Sequence, residues 1–170
     1  IEKIAKNGDP MKFNLPKCRI SDKKGGFLKY DFSFSGLKTA VLRLVEKINE
    51  DGKNVPVPDI AASFERVVAE VLVERTIRCA QDNSLDDVVV VGGVAANNTL
   101  RKMMISAASK KSIKVHLAPL NLCTDNAAMI GAAALFRIKF KDHLSSLKLG
   151  VSGRLSIEQA NTLYEENPPF

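Results

Sequence analysis

The chain is organised around residues 87–101, which read DVVVVGGVAANNTLR. The four valines at 88–91 are β-branched and leave no polar face, which predicts a strand covered on both sides, as in a parallel sheet. Gly92 and Gly93 then end the strand, because a residue without Cβ can adopt positive φ or let a ligand approach the backbone. Asn97 or Asn98 is expected to cap the helix that follows, whose apolar residues recur at helical spacing. The stretch therefore predicts strand, turn and helix.

This turn is also a candidate ligand site. A helix that opens directly after a glycine turn presents unpaired N–H groups and positive dipole density at the carboxyl end of a strand, where α/β sheets usually bind nucleotides. The alternative is a tight turn that binds nothing. On the two glycines alone, Gly92 and Gly93, this alternative is favoured.

Composition narrows the class of protein. The chain has 170 residues of which 45% are hydrophobic, so it can bury a substantial core, and one domain is the simplest count. Its net charge of +6 fits an anionic partner such as RNA, although scattered lysines make this weak support. No signal sequence and no apolar stretch long enough to cross a bilayer is present, which argues against secretion and membrane insertion and favours a cytoplasmic location.

The cysteines do not form a recognisable framework. Cys18, Cys79 and Cys123 are odd in number, far apart and without metal-binding spacing, which favours reduced, buried thiols. His116 falls on the polar phase of a predicted strand and is expected at the surface with no role. Residues Arg66, Glu70, Glu74 and Arg78 are expected to form surface i,i+4 ion pairs rather than a catalytic group.

Upstream of the central stretch, the pattern predicts one strand and three helices. Residues 1–30 indicate a helical start and an irregular loop, and residues 30–34 alternate like a strand exposed on one side. An amphipathic helix follows with Ser35 as its expected N-cap, ending near Asp51. A longer helix, capped by Asp59, runs toward Cys79.

Downstream, residues 113–117 alternate like a second strand, and Thr124 or Asp125 is the expected N-cap of an apolar helix. Residues from 141 onward predict a short helix near residues 157–163 and a loose tail. This order of elements suits a three-layer α/β domain that binds ligands at the carboxyl ends of its strands.

Three stretches together resemble one family: DFSFSGLKT at 31–39, VGGVAAN at 91–97 and CTDNAAMI at 123–130. They are similar to the TsaD family, also called Gcp and formerly described as an O-sialoglycoprotein endopeptidase. The resemblance implies the actin/Hsp70/sugar-kinase fold, which is ribonuclease H-like. Residues 1–140 would form its C-terminal lobe and residues 141–170 a C-terminal extension, since the family's N-terminal strand, phosphate loop and HxxxH histidines find no match here.

The resemblance also implies an activity. The family transfers the threonylcarbamoyl group from threonylcarbamoyl-AMP to N6 of adenosine 37 in tRNAs that read ANN codons, an acyltransferase step of tRNA processing. Carried over by position, Asn97 would contact the nucleotide-like substrate, and Gly92, Gly93 and Val94 would line its pocket. Asp125 would bind one divalent metal ion, iron or zinc, together with two histidines that His116 and His143 do not match. No catalytic set is complete in this segment, which alone is expected to be inactive.

By the same resemblance, the expected partners are tRNA, a TsaB-like paralogue and an associated ATPase, with no membrane. Two alternatives are of other classes. A metalloendopeptidase would need a metal-bound water and a general base, and the chain contains no HExxH. A nucleotide-binding or partner-docking module without chemistry is the other alternative for the isolated segment.

Overall fold

The computed structural model describes residues 1–139 and Ser156. The chain divides into two compact units, Ile1–Cys123 and Thr124–Phe170. The elements are α1 (Glu2–Ala5), β1 (Arg19–Ser21), β2 (Phe27–Phe32), α2 (Ser35–Glu50), α3 (Val57–Asp82), β3 (Asp87–Val90), α4 (Asn98–Ser109), β4 (Lys114–Leu117) and α5 (Ala127–Lys139), with short 3-10 turns at Gly93–Ala96 and Leu120–Leu122. This order confirms the predicted one and adds β1. Three predictions fall outside the described residues or at their edge: the helix near 157–163, the tail from 141 and the boundary at 140.

The first strands form a small antiparallel sheet, β1 with β2. Arg75 of α3 anchors it, since its side chain is buried and its Nη1 donates to the carbonyl oxygen of Lys29 at 2.6 Å. β2 lies a few residues earlier than the strand predicted at 30–34. The predicted strand is present, but the alternation predicted for it is not, because only Tyr30 among the residues of β2 is half-buried and Phe32 is exposed.

The predicted caps of α2 and α3 are wrong. α2 begins at Ser35 itself, and its N-cap residue is Phe34, with no side-chain cap. α3 begins at Val57, after Pro56. Pro58 lies in its first turn, where it has no N–H group that needs an acceptor. Asp59 instead accepts the N–H of Asp9 at 2.8 Å, so it joins the helix to the N-terminal segment rather than capping it.

The second sheet pairs β3 with β4 in parallel, as predicted for residues 113–117. One of its faces packs on α3 and α4, where Val88, Val90 and Val115 contact a cluster of buried side chains. That cluster comprises Ala69, Val73, Ile77, Ala80, Leu100, Met104, Ala108 and Ile113. The unit is therefore α/β, with its main core between two helices and one face of the sheet.

The other face of this sheet corrects the sequence prediction. Val89 is 67% exposed and Val91 is 68% exposed, so within Ile1–Cys123 the strand is not covered on both sides. The reason is that α3 and α4 lie on the same face, while strand alternation turns Val89 to the opposite one. A third layer is not found among the described residues of this unit.

Several surface and thiol predictions are confirmed. Arg66 pairs with Glu70 at 2.9 Å and Arg78 with Glu74 at 3.3 Å. The three cysteines are free thiols, two of them, Cys18 and Cys123, being buried and Cys79 half-buried. Among the described helices, none combines the length and the apolar character needed to cross a membrane.

In the second unit, α5 is capped by a residue that the sequence analysis did not choose. Asn126 Oδ1 accepts the N–H of Met129 at 2.9 Å, and Asn126 Nδ2 donates to the carbonyl oxygen of Thr124 at the same distance. The prediction of Thr124 or Asp125 as N-cap is therefore wrong. Asn126 stands three residues before Met129, the spacing at which a side chain reaches a first-turn N–H.

Candidate functional site

The glycine turn after β3 leaves its backbone open. Gly92 has φ of +90°, in the region that favours glycine, and residues Gly93–Ala96 form one turn of 3-10 helix. A Cβ added at Gly92 or at Gly93 would meet no atom within 4 Å. The sequence predicts an α-helix directly after the glycines, but α4 begins only at Asn98. The turn nevertheless offers exposed backbone to a ligand.

The unpaired N–H groups of Gly93 and Val94 indicate the kind of ligand that this turn can hold. Ala95 N–H donates to Gly92 O at 2.9 Å, and Asn97 N–H donates to Val94 O at 3.0 Å. In contrast, the N–H groups of Gly93 and Val94 donate to no acceptor among the described residues. Adjacent unpaired N–H groups close to a helix N-terminus favour an anion such as phosphate.

Asn97 is the N-cap of α4, as predicted. Its Oδ1 accepts the N–H of Leu100 at 2.8 Å, and its Nδ2 donates to Glu65 Oε1 at 2.7 Å. The second oxygen of Glu65 accepts from Thr99 Oγ1 at 2.9 Å. Both ends of the Asn97 amide therefore have protein partners, and its contact with a nucleotide stays a prediction.

Asn98, the other candidate cap, binds a different carboxylate. Its Nδ2 donates to Glu2 Oε1 at 2.7 Å, and this bond is the main reason why the pKa of Glu2 lies below its ordinary value. Two acidic residues, Glu2 and Glu65, thus hold the first turn of α4. Their negative charge there complements the helix dipole.

Arg101 joins the two loops at the carboxyl ends of the parallel strands. Its Nη1 donates to Ala95 O at 2.9 Å and to Ala118 O at 3.0 Å, so it links the turn after β3 to the loop after β4. Ala118 N–H also donates to Val90 O at 3.3 Å. Arg101 and the loop after β4 therefore fix the position of the turn, while the backbone at Gly92 and Gly93 stays exposed.

Sequence reasoning missed the roles of Glu65 and Arg101. One signal for Glu65 was available, because the residues four positions away, Ala61 and Ala69, offer it no ion-pair partner on its own helix. Arg101 carried no comparable signal, since its acceptors are carbonyl groups of two loops.

A shallow apolar groove adjoins the turn. It has a volume of about 200 Å³ and is lined by Val94, Asn97 and Leu100 on one side and by side chains of α3, including Phe64 and Val68, on the other. A groove of this size and character suits a flat, largely apolar group.

The residues predicted to form the site are divided between the two units. Gly92, Gly93, Val94 and Asn97 lie in one turn of the first unit, whereas Asp125 belongs to the second. Asp125 is exposed, and its carboxylate has no hydrogen bond or ion pair with a described residue. Within residues 1–139, no three His, Cys, Asp or Glu side chains form a metal site.

Of the two histidines, only His116 lies within the described residues. His116 lies on the exposed face of β4, where Nε2 is 2.6 Å from Asp87 Oδ1, as expected for a surface residue. His143 is outside the described residues. One carboxylate does not fit a divalent metal ion by itself, so no chemical step is assigned to a metal.

Comparison with known proteins gives a family. The model of the TsaD family, described as tRNA N6-adenosine threonylcarbamoyltransferase, matches residues 1–132. Proteins of that name from Prochlorococcus marinus strains MIT 9312 and NATL1A are 96% and 59% identical over the 170 residues. In both cases the match covers 100% of this chain and 48% of the relative.

The chain thus spans about half the length of the curated relatives it matches. These comparisons lend no support to the expectation that it is the C-terminal portion. They do confirm the resemblance carried by the three sequence stretches: the chain belongs to the TsaD family.

Proposed function

We propose that the full-length protein transfers a threonylcarbamoyl group from threonylcarbamoyl-AMP to N6 of adenosine 37 in tRNAs that read ANN codons. Family membership and the transferase name of close relatives support this activity. The structural observation that carries it is the open glycine turn, whose unpaired N–H groups at Gly93 and Val94 suit the phosphate of an adenylate.

In this proposal the chain supplies binding and orientation. The N–H groups of Gly93 and Val94 hold the phosphate, and the groove beside Phe64 and Val68 receives the base. The N6 amine of adenosine attacks the carbamoyl carbon, a C–N bond forms, and the bond from that carbon to the phosphate oxygen breaks. AMP leaves with the electron pair, and N6 loses a proton. A bound phosphate held by fixed donors keeps the carbamoyl carbon in place for this attack.

Further parts of the proposal come from the family. Asp125 would be one ligand of a divalent ion, iron or zinc, whose other ligands lie outside the described residues. The chain would form one lobe of a three-layer actin/Hsp70/sugar-kinase fold. A TsaB-like paralogue and an associated ATPase would assist it in the cytoplasm.

The endopeptidase alternative is not favoured, because the relatives carry the transferase name. The deciding assay incubates the full-length protein and its helper proteins with threonylcarbamoyl-AMP and an ANN-reading tRNA. We expect mass spectrometry of the digested tRNA to show threonylcarbamoyladenosine, and we expect a glycoprotein substrate to stay intact. Peptide cleavage without modified tRNA would overturn the proposal.

The role of the turn has its own test, Gly93→Ala in the full-length protein. The added methyl meets no protein atom within 4 Å, so the free energy of unfolding should change by less than about 0.5 kcal/mol. It would, however, occupy the surface on which the phosphate lies, so calorimetry should show at least tenfold weaker adenylate binding. Gly131→Ala, whose added methyl meets no atom within 4 Å outside the backbone of its own helix, is the control for adenylate affinity; because Gly131 lies inside α5, alanine there should raise the free energy of unfolding by about 0.5 to 1 kcal/mol. Unchanged affinity in Gly93→Ala would remove the turn from the site.

A further inference from the structure

A second concave surface lies between α3 and α4, away from the glycine turn. This groove, here called the basic groove, has a volume of about 610 Å³ and is lined by residues within 73–81 and 102–111. Its cationic lining residues are Arg78, Lys102, Lys110 and Lys111, and its one acidic lining residue is Glu74. The groove therefore carries a net positive charge.

Most of this charge is not neutralised by the described residues. Lys102, Lys110 and Lys111 are exposed and form no ion pair with a described residue. Among ion pairs of the described residues, Arg78 is the groove cation with a partner, Glu74, at 3.3 Å. α4 contains no acidic residue, and Glu65 of α3 is engaged elsewhere, because it binds Asn97 and Thr99.

The arrangement differs from an ordinary solvated helix face. On α2, the cations Lys38, Arg43 and Lys47 share one helix with the acidic residues Glu46 and Glu50. In the basic groove the cations line a concavity instead. Convergent charge of one sign in a groove raises the local concentration of a ligand of the opposite sign.

The spacing of the cations suits a linear polyanion. Lys102 and Ser106 of α4 and Lys110, its C-cap residue with helical backbone angles, stand four residues apart, which places successive residues about 6 Å apart along one face and spans about 12 Å. A hydroxyl between two ammonium groups adds a neutral donor, and hydroxyls of this kind also contact phosphate oxygens.

We propose that the basic groove binds the phosphate backbone of the RNA substrate and so positions the tRNA relative to the adenylate site. This inference rests on the proposed function for the identity of the RNA, while the charge and shape of the groove come from the chain itself. Lys102, Lys110 and Lys111 are positioning residues in this proposal, since they hold the RNA backbone and do not touch the reacting atoms.

The test is a triple variant of the full-length protein, Lys102→Ala with Lys110→Ala and Lys111→Ala. Fluorescence anisotropy would follow its binding to an ANN-reading tRNA between 50 and 200 mM KCl. We expect at least tenfold weaker binding at the lower salt concentration. The slope of log affinity against log salt should fall in magnitude by about two to three, because each lost phosphate contact removes roughly 0.7 to 0.9.

A matched variant removes three exposed lysines elsewhere, Lys23, Lys24 and Lys47, and lowers the net charge equally. It should retain most of the affinity and the slope of the parent. A triple Lys→Arg variant at the basic groove should bind as the parent does. Affinity and slope of the alanine triple equal to those of the matched variant would overturn the proposal.

Two further results separate this proposal from others. Calorimetry should find the adenylate affinity of the alanine triple unchanged, so lost RNA binding with intact adenylate binding supports the groove. If the triple lost binding to polyglutamate but kept its tRNA affinity, the groove would belong to an acidic protein and the proposal would fail. If the parent modified no tRNA yet bound it through these lysines, the transferase would fail and the groove would stand.

Discussion

Glu65 holds together the first turn of α4 from a neighbouring helix. Its two carboxylate oxygens accept hydrogen bonds from Asn97 at 2.7 Å and from Thr99 at 2.9 Å. Because Asn97 also caps α4 through Leu100, one side chain carries both the local cap and the contact to α3. The position of the glycine turn depends on this pair of residues.

Asn97→Ala should therefore destabilise the full-length protein. It removes the cap, which is worth about 0.5 to 2 kcal/mol, and a hydrogen bond to a charged group, so we expect a loss of roughly 1 to 3 kcal/mol in urea unfolding. Asn121→Ala, at an exposed residue without side-chain bonds to described residues, is the control and should stay within about 0.5 kcal/mol. If calorimetry also finds unchanged adenylate affinity in the folded variant, Asn97 is a cap only.

Asp125→Asn separates metal binding from capping. Asn126 caps α5, so in metal-free protein the substitution at Asp125 should leave the free energy of unfolding unchanged within about 0.5 kcal/mol. If Asp125 is a metal ligand, the metal content of the full-length protein and its tRNA modification should both fall sharply, because a neutral amide does not offset the charge of the ion.

The companion variant for this prediction is Asn126→Ala. It should destabilise the protein by about 0.5 to 2 kcal/mol through loss of the cap. Full metal content and full activity in Asp125→Asn would show that Asp125 is not a ligand.

At the scale of elements, β2 is attached to the end of α3 by a small polar cluster. Asp82 Oδ2 lies 2.6 Å from Lys29 Nζ and accepts the hydroxyl of Tyr30 at 2.9 Å. The bond from Lys29, and then that from Tyr30, lowers the pKa of Asp82 below its ordinary value. The same contact raises the pKa of Lys29 and that of Tyr30.

The pH dependence of this contact follows from those directions. A lowered pKa of Asp82 contributes stability above the unfolded-state value of about 3.9, and this contribution is lost as the pH falls through the folded-state value. A raised pKa of Lys29 contributes stability below its unfolded-state value of about 10.4, and this is lost as the pH rises through the folded-state value. The contact is therefore fully present between these limits.

We expect Asp82→Asn to be less stable than the parent at pH 7, with the difference in urea midpoint shrinking as the pH falls below about 4. Asp31→Asn, at an exposed neighbour on β2, serves as control and should show no such pH-dependent difference. An equal difference for Asp82→Asn at pH 3 and pH 7 would contradict this account.

At the scale of the whole molecule, the two faces of the β3–β4 sheet differ. Val88 packs on the core formed with α3 and α4, whereas Val89 is 67% exposed within the first unit. The proposed three-layer fold requires the outer face to be covered in the full-length protein. Substitutions of Val88 and Val89 therefore test the three-layer fold.

In the full-length protein we expect Val89→Lys to cost about 2 kcal/mol or more, in the same range as Val88→Lys, because each would bury a charge in an apolar layer. Ser109→Lys, at an exposed position of α4, is the control. A change of less than about 0.5 kcal/mol for Val89→Lys would mean that the outer face stays open, and would contradict the three-layer fold.

The sequence by itself determined the order of the elements apart from β1, the end of β3 just before the paired glycines, and the two asparagines, Asn97 and Asn98, of which one caps α4. These features depend on groups a few residues apart, such as the N–H of Leu100 three positions after its cap. The three family stretches are local in the same sense, so the family also followed from the sequence.

Only the tertiary structure decided which face of β3 is covered and which side chain holds the turn. Glu65 meets Asn97 across 32 residues and Arg101 meets Ala118 across 17, separations at which no sequence period specifies a partner. The four valines predict an apolar strand. The side on which α3 and α4 pack determines that Val88 packs against the core and that Val89 stays exposed. Local hydrogen bonding fixes the elements, whereas packing between distant segments fixes their surroundings.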